Sequence, residues 1–539
     1  MKQFFLLIAS LFFILTAVAQ NPVPHLEKKG TATQLIVDSQ PFLILGGELG
    51  NSSASSTTYM NSIWPVLEQM NLNTILSPVY WELFEPIEGQ FDYQLIDDLL
   101  AAARKRNMHL VLLWFGSWKN SMSCYAPAWV KKDTERFARA RDINDNPVEI
   151  LSPFVEENRI ADGKAFVELM RYLKEVDGDQ HTVIMIQVEN EIGMLPSARD
   201  YCAKATDAYL QPVPKELIRH MRSNRNSLKP EFKKVWEENG MKVNGTWPEV
   251  FGDNVWTGEI FMAWFFGQYT DKIAEAGKKV YDLPMYVNAA LNRPNKLPGE
   301  YPSAGPLPHI IDVWKAAAPS IDLFVPDIYF PNLKHWLDLY VRNNNPLFIP
   351  EHRFDESVGS KAYFVIGNYD AIGFSPFSIE STGDPQNNTL TKTYGILKQL
   401  TPLIMANQGQ GLIKGFLLDE EVQRDTFELG GYNIIAKHDY TLGWSPEASE
   451  DIWPSAGGMI ISVGEGEYYV AGNGIVLNFP CSEDGKTCVG IEAIDEGSFV
   501  DGKWTPIRRM NGDQDHQGRH LRIPMNEQGI QHLKLYRYQ

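Results

Sequence analysis

The chain has 539 residues, of which 44% are hydrophobic and 22% charged, a globular composition long enough for two domains. Its 67 acidic residues outnumber its 49 basic ones, and the formal net charge is −18. This acidic balance argues against nucleic acid as a partner, which requires a basic surface, and is compatible with a neutral sugar.

The amino terminus has the pattern of a secretory signal peptide. Lys2 precedes an apolar run from Phe4 to Val18, and the small residues Ala17 and Ala19 form a cleavage pattern at its end. The run is too short to predict a membrane span, and no second apolar stretch reaches spanning length. We therefore expect residues 1–19 to be removed and the mature chain to be exported, to the periplasm or beyond, without a transmembrane segment.

Short apolar runs alternate with amphipathic segments from about residue 40 to residue 405. Eight such runs separated by helical patterns indicate a parallel sheet, and eight strands close a (β/α)8 barrel, which we place at residues 20–408. Residues 200–280 exceed a normal connection and predict a helical insertion, although a strand hidden there would shift the later numbering. The predicted strands are Phe42–Gly46, Thr74–Leu76, Leu110–Trp114, Val183–Val188, Met285–Asn288, Leu323–Val325, Leu347–Ile349 and Ala371–Phe374.

The sequence pattern changes after about residue 408. Short β-like runs are separated by Gly-Gly, Asn-Gly and Asp-Gly pairs, which are typical of antiparallel sheets. We expect a β-sandwich-like domain over residues 409–539 that packs against the barrel rather than binding sugar. Its predicted strands include Met459–Val463, Tyr468–Ala471, Ile475–Phe479 and Leu533–Tyr536.

The chain has four cysteines, and export permits disulfides. Cys481 and Cys488 flank a turn-like stretch, which predicts a local bridge between them. Cys124 and Cys202 could be bridged to each other or remain free thiols. No histidine is spaced near either pair, so a zinc site is not expected.

Two of the predicted barrel strands end in carboxylates. Val183–Val188 is the continuous apolar run of a buried parallel strand, and Glu189, Asn190 and Glu191 follow it. Glu351 follows the seventh run in the same way. Buried charges are costly, and this end of a barrel strand is where catalytic groups lie. Two carboxyl groups across the barrel mouth could cleave a glycosidic bond, one as the acid and the other as nucleophile or base.

Several motifs resemble those of one enzyme family. Gln187–Gly193 closely resembles the acid/base motif of glycoside hydrolase family 35, the β-galactosidases of a retaining (β/α)8 clan. Tyr80–Pro86 and Glu88–Tyr93 resemble the second-strand signature that this family shares with family 42. Pro127–Val130 resembles the segment after the third strand. The likeness spans roughly residues 30–380.

The resemblance implies an exported retaining exo-β-galactosidase that acts on oligo- or polysaccharides by double displacement. It implies that Glu191 is the general acid/base, that Asn190 contacts the sugar 2-hydroxyl and that Glu351 is the nucleophile. Clan members often place a tyrosine that orients the nucleophile where this chain has Tyr329. Leu113–Trp118 departs from the family pattern, which leaves two alternatives: another β-glycoside, such as a glucoside, glucosaminide or arabinopyranoside, or a sugar-binding barrel without catalysis.

Other residues near predicted strand ends are candidate sugar contacts. Trp114 and Trp118 could stack on sugar faces, and Asn288 and Glu48 could bind hydroxyl groups. Glu189 is expected to be a supporting or structural carboxylate, pointing the same way as Glu191 if the strand continues regularly. No cofactor or metal is expected, because no His-x-His or His/Asp cluster marks the strand ends. No pattern in the sequence fixes an oligomeric state.

Overall fold

The computed structural model describes residues 22–481, 485–510 and 512–539. The predicted signal peptide lies outside these ranges. Within them, no helix combines the length and the apolar character needed to cross a bilayer.

Three antiparallel strands precede the barrel: β1 (His25–Lys29), β2 (Ala32–Val37) and β3 (Gln40–Phe42). They lie against the amino-terminal ends of the barrel strands. The Phe42 ring, for example, lies 4.9 Å from the ring of His109, the first residue of the third barrel strand.

Eight parallel strands close into a barrel, as predicted. The ring closes where Gly373 and Phe374 of the last strand pair with Ile44 and Leu45 of the first. Each predicted run lies at least partly within one of these strands, and most strands extend further at their carboxyl ends. The barrel strands are β4 (Ile44–Glu48), β5 (Thr74–Tyr80), β6 (His109–Lys119), β9 (Val183–Asn190), β10 (Met285–Ala290), β11 (Leu323–Ile328), β12 (Ile349–His352) and β13 (Gly373–Pro376), with a hairpin of β7 (Arg139–Arg141) and β8 (Pro147–Leu151) after β6.

Helices pack around the barrel, and five of them lie between β9 and β10. Their sequences explain the packing: in α3 the buried residues Ile96, Leu99, Leu100 and Ala103 recur at helical spacing and form one apolar face. The helices are α1 (Thr57–Leu67), α2 (Trp81–Phe84), α3 (Gln94–Lys105), α4 (Ala128–Lys132), α5 (Glu156–Asp177), α6 (Ala203–Tyr209), α7 (Lys215–Ser223), α8 (Pro230–Glu238), α9 (Trp247–Phe251), α10 (Val255–Val280), α11 (Ile311–Ala317), α12 (Leu333–Tyr340), α13 (Val358–Tyr369) and α14 (Thr389–Asn407).

The carboxyl-terminal region forms two antiparallel sheets around a second apolar core, in agreement with the predicted fold class. Six strands form one sheet in the order β14-β17-β18-β23-β20-β21, and four form the other in the order β15-β16-β19-β22. They are β14 (Ile413–Leu418), β15 (Arg424–Leu429), β16 (Tyr432–His438), β17 (Ala456–Gly464), β18 (Glu467–Asn473), β19 (Ile475–Asn478), β20 (Cys488–Val500), β21 (Lys503–Arg509), β22 (Leu521–Ile523) and β23 (Gly529–Tyr538). The predicted Cys481–Cys488 bridge is present, whereas Cys124 and Cys202 are free thiols.

The β-domain packs closely against the helices α13 and α14 of the barrel. Gly415 of β14 approaches α13 so closely that a Cβ at this position would lie 2.6 Å from the Tyr363 carbonyl oxygen and 2.9 Å from the Asn368 nitrogen. Further along the contact, the Gln528 amide donates to the Thr393 hydroxyl at 3.0 Å. The interface therefore depends on glycine at position 415, where no side chain would fit, as well as on polar contacts.

A Gly415→Ala substitution tests this contact. We expect it to lower the melting temperature, because the added methyl meets backbone atoms that cannot move aside, and such overpacking costs about 1–3 kcal/mol. Gly529→Ala is the matched control, since a Cβ there meets no atom within 4 Å. Equal melting temperatures for the two variants would show that the interface adapts to the methyl group.

Candidate active site

Carboxyl groups from several strands meet at the carboxyl-terminal mouth of the barrel. Glu48 ends β4, Asp327 lies in β11, Glu351 lies in β12, and Glu191 immediately follows β9; all four are buried. One carboxylate oxygen from each of Glu191, Asp327 and Glu351 lies within 4.8 Å of the other two. Tyr329, just after β11, donates its hydroxyl to Glu351 Oε1. The structure therefore brings the two predicted catalytic residues together and adds Asp327.

Burial and mutual repulsion keep these carboxyl groups from all being ionised. Burial and the neighbouring Glu191 charge raise the pKa of Glu351 to about 7, although Lys119 and the Tyr329 hydrogen bond act in the opposite direction. Burial and the charge of Glu351 also raise the pKa values of Glu48 and Asp327 well above their ordinary range. At neutral pH the mouth therefore holds protonated and ionised carboxyl groups side by side.

Lys119 supplies the balancing positive charge. It ends β6, is only 6% exposed, and places its ammonium nitrogen 3.4 Å from Glu191 Oε2. Burial alone would lower the pKa of Lys119, but the carboxylates of Glu191, Glu351 and Glu48 outweigh it and raise the pKa. Lys119 is not among the residues predicted from the sequence. The available signal was a single lysine closing an otherwise uncharged run that extends past Trp114.

The carboxylate oxygens of Glu191, Asp327 and Glu351 are spaced closely enough to hold a metal ion. A metal ion would bind to the negatively charged carboxylate oxygens. Here Lys119 already provides a cation to the same carboxylates, at 3.4 Å from Glu191. The cluster is thus arranged as an ion-pair network around a lysine.

The end of β9 departs from regular strand geometry. Glu189 and Glu191 have φ values of +62° and +43°, in the left-handed region that non-glycine residues rarely adopt. The predicted common direction of Glu189 and Glu191 required a regular strand and does not hold. Only Glu191 enters the mouth, whereas Glu189 accepts a hydrogen bond from the Trp118 nitrogen at 2.7 Å and interacts with Asp162 of α5.

Asn288 connects two of the carboxyl-bearing strands. Its Oδ1 accepts a hydrogen bond from the Glu191 backbone nitrogen at 2.9 Å, and its Nδ2 donates to Asp327 Oδ2 at 2.7 Å. Both ends of the amide are therefore bound to protein. Asn288 supports Glu191 and Asp327 in this way, and its contact with a sugar hydroxyl stays a prediction.

Other buried polar atoms at the mouth have no partner within the described part of the chain. They are both side-chain amide atoms of Asn190, Glu48 Oε1, Asp327 Oδ1, Glu351 Oε2 and the Tyr286 hydroxyl. A buried polar atom left unpaired costs about 1–3 kcal/mol, so native structures contain few of them. Their concentration here indicates a surface adapted to a ligand rich in hydroxyl groups. Asn190 and Glu48 are among these residues, and their contacts with a sugar stay predictions.

The structure places Trp114 and Trp118 away from the mouth, which corrects their predicted role as sugar platforms. Both are fully buried, with their indole N–H groups bound to Asp162 and to the Leu151 carbonyl oxygen. Trp114 is paired in regular register with Val188 and points outward against α5. A bulge follows it in β6: Lys119 pairs with Asn190, so residues 115–118 lie opposite the single residue Glu189. Trp118 lies within this bulge, and Lys119 enters the mouth at its end.

Two segments of the chain match known families. Residues 56–257 match the glycoside hydrolase family 42 model, described as β-galactosidase, and residues 390–522 match a domain of unknown function, DUF5597. The chain therefore contains a β-galactosidase-like glycoside hydrolase domain. The match is to family 42, so membership of family 35 stays a prediction. No curated protein sequence matches the chain.

Solved structures with a similar fold include β-galactosidases. The enzyme from Bacillus circulans sp. alkalophilus aligns with a TM-score of 0.52 at 10% identity, over 91% of this chain and 99% of that one. The enzyme from the psychrophilic Marinomonas ef1 aligns with a TM-score of 0.44 at 11% identity, over 67% of this chain and 60% of that one. The catalytic domain of β-amylase from Paenibacillus polymyxa also aligns, with a TM-score of 0.44 at 14% identity, over 67% of this chain and 97% of that domain. At these identities the likeness concerns the fold alone.

The raised pKa of Glu48 predicts a pH-dependent stability. Between the ordinary glutamate pKa and the raised one, the folded state retains a proton that the unfolded chain has released, so stability falls as the pH rises. Glutamine is neutral at every pH, so a protein with glutamine at position 48 does not lose stability in this way as the pH rises. We expect Glu48→Gln to raise the melting temperature at pH 8 and to have a much smaller effect near pH 4.5.

Thermal melts of wild type and variant at both pH values measure the difference. Glu27→Gln, on the exposed part of β1, controls for the loss of one acidic side chain. A stability gain of the same size at both pH values would contradict the assigned protonation of Glu48.

Proposed function

We propose that this chain is an exported retaining exo-β-galactosidase that removes terminal β-galactosyl residues from oligo- or polysaccharides. The observation that carries the proposal is the spacing of Glu191 and Glu351, whose nearest oxygens lie within 4.8 Å of each other. Retaining glycosidases place their carboxyl groups about 5–5.5 Å apart, whereas inverting enzymes need about 6.5–9.5 Å to admit a water molecule. The matched β-galactosidase segment and the signal-peptide pattern of residues 1–19 support the remaining parts.

In the first step Glu351 acts as the nucleophile. Its Oε2 has no protein partner within the described chain and is available to attack C1, while Oε1 is held by the Tyr329 hydroxyl. A bond forms between Glu351 and C1 as the glycosidic bond breaks, and Glu191 donates its proton to the departing oxygen. The leaving group departs as an alcohol, and the sugar remains as an ester on Glu351.

In the second step Glu191, now ionised, acts as the base. It takes a proton from a water molecule whose oxygen attacks C1, and the ester bond to Glu351 breaks. The unpaired Asn190 amide is the proposed partner of the sugar 2-hydroxyl, a contact that strengthens in the transition state. The products are a free sugar with retained configuration and an enzyme in its starting protonation state.

The reaction needs one proton on the Glu191–Glu351 pair. Two carboxyl groups this close share a proton, so their titrations belong to the pair. Lys119 and the Tyr329 hydrogen bond lower the pKa of Glu351, against burial and the Glu191 charge, and so act toward the ionised nucleophile that the first step requires.

A second candidate keeps the mechanism and changes the sugar. Both tryptophans of the segment that departs from the family 35 pattern, Leu113–Trp118, are buried, and Lys119 enters the mouth directly after it. A panel of nitrophenyl β-glycosides discriminates the candidates. Hydrolysis of the galactoside above the glucoside, glucosaminide and arabinopyranoside supports the proposal, and binding without any release of nitrophenol would favour a sugar-binding protein.

Substitution of the two glutamates tests their roles. Glu351→Gln is expected to abolish turnover, because the amide is not a nucleophile. Glu191→Gln should slow substrates with poor leaving groups by about 10²–10⁴-fold, the usual contribution of a general acid, and should spare the first step of highly activated aryl glycosides.

Steady-state kinetics on aryl and alkyl β-galactosides measure both effects, with Glu27→Gln as the exposed control. Wild-type hydrolysis by Glu351→Gln would show that the nucleophile is a different residue.

The charge of Lys119 is expected to shape the pH profile. Lys119 lowers the pKa of Glu351, whereas Glu191 raises it, and Glu48 and Asp327 also face the ammonium. Lys119→Met removes the positive charge that lowers the pKa of Glu351. The acidic limb of the kcat/KM profile should therefore move to higher pH. Lys119→Arg keeps the charge and should move it much less. Identical profiles for wild type and Lys119→Met would contradict the electrostatic role of this lysine.

A further inference from the structure

A second buried acid pair lies behind the mouth and takes no part in the proposed chemistry. Asp162 of α5 and Glu189 of β9 are both fully buried. Three donors bind the Asp162 carboxylate: Trp114 Nε1 at 2.9 Å, the Ser117 nitrogen at 3.2 Å and the Tyr269 hydroxyl at 3.2 Å. These partners are all neutral, and no lysine, arginine or histidine is among them.

The two carboxyl groups approach each other across Gly116. A Cβ at this glycine would lie 2.8 Å from Asp162 Oδ1 and 2.8 Å from Glu189 Oε1. Glu189 Oε2 accepts a hydrogen bond from the Trp118 nitrogen, whereas Oε1 has no donor within the described residues. A proton on Oε1, donated to Asp162, accounts for the unpaired atom and removes the repulsion between two buried anions. Burial and the Asp162 charge accordingly raise the pKa of Glu189 well above its ordinary range.

This pair binds the part of β6 that shapes the mouth. The nitrogens of Ser117 and Trp118, both in the bulge, donate to Asp162 and Glu189 respectively. Immediately afterwards, the backbone follows the end of β9: the Asn120 nitrogen donates to the Asn190 carbonyl oxygen and the Ser121 nitrogen to that of Glu191, both at 3.2 Å. Residues 117–121 thus form a hydrogen-bonded strip. The acid pair holds its first two residues, and its last two hold the backbone of Asn190 and Glu191.

The backbone of Glu191 needs such support. Left-handed φ values at Glu189 and Glu191 are unfavourable for residues with a side chain and persist only where the surrounding contacts impose them. Asn288 holds the Glu191 nitrogen on one side, and the strip from β6 holds its carbonyl oxygen on the other.

We propose that Asp162 and Glu189 form a proton-sharing pair that positions Glu191. Glu189, the first of the two acids at the end of β9, thus sets the geometry of the second, Glu191. This inference rests on the proposed function for the role of Glu191. Asp162 and Glu189 are positioning residues, because neither lies at the mouth.

The test compares substitutions of Glu189 across a series of leaving groups. Glu189→Leu removes the donor to Asp162 and the acceptor for Trp118, and a displaced acid of this kind costs about 10²-fold. We expect that loss in kcat/KM for alkyl β-galactosides, whose leaving groups need protonation, and little loss for dinitrophenyl β-galactoside. Glu189→Gln keeps both hydrogen bonds through its amide and should restore near wild-type kinetics on all substrates. If Glu189→Leu does not fold, Glu189→Asp withdraws the carboxyl by one methylene and should show the same dependence on the leaving group.

Glu259→Leu is the matched control. Glu259 is a fully buried carboxylate of α10 bound to His309 and Tyr301, outside the mouth and outside the acid pair. Its loss is expected to lower the melting temperature without any dependence on the leaving group. A loss that is equal across leaving groups in Glu189→Leu would assign the pair to packing and overturn the proposal.

Hydrogen–deuterium exchange gives a second readout that does not require activity. In Glu189→Leu, peptides covering residues 115–122 and 189–193 should exchange faster than in wild type, with no change in Glu189→Gln. Unchanged exchange in Glu189→Leu would overturn the anchoring role. If the wild-type protein hydrolyses no glycoside, the proposed function fails, while these exchange rates still decide whether the pair anchors the strip.

Discussion

The crowding of carboxyl groups around Lys119 is the constraint on which the site depends. A parallel barrel directs the carboxyl ends of its strands to one mouth, and here that geometry places Glu48, Glu191, Asp327 and Glu351 around one ammonium group. Four buried anions beside one cation are not stable at neutral pH, so some carboxyl groups keep their protons. Coexistence of an acid and a carboxylate, which glycoside cleavage requires, follows from this charge imbalance.

Backbone geometry places these groups as much as side-chain chemistry does. The bulge in β6 carries Lys119 inward, and the left-handed residues at the end of β9 separate Glu189 from Glu191. Each distortion is held by hydrogen bonds from the neighbouring strand or helix. The two irregularities lie opposite each other, and together they convert two regular strand ends into a charged mouth and a buried anchor.

The barrel, the β-domain and the two facing glutamates could be predicted from the sequence, because apolar runs and the acids that end them are local patterns. The burial of Trp114 and Trp118 could not, since their indoles bind partners far along the chain, Asp162 and the Leu151 carbonyl oxygen. Regular alternation predicts one common direction for Glu189 and Glu191, and positive φ values break that alternation. Lys119 could not be predicted either, because its position at the mouth depends on how the bulged end of β6 pairs with β9 and not on a local sequence pattern.

The stereochemistry of hydrolysis tests the central claim most directly. Proton NMR of the reaction with an aryl β-galactoside, recorded before mutarotation, identifies the first anomer released. With Glu191 and Glu351 as close as the structure places them, the account predicts β-galactose first, through an ester on Glu351. Initial release of α-galactose would contradict it, because inversion needs a water molecule between two more widely separated carboxyl groups.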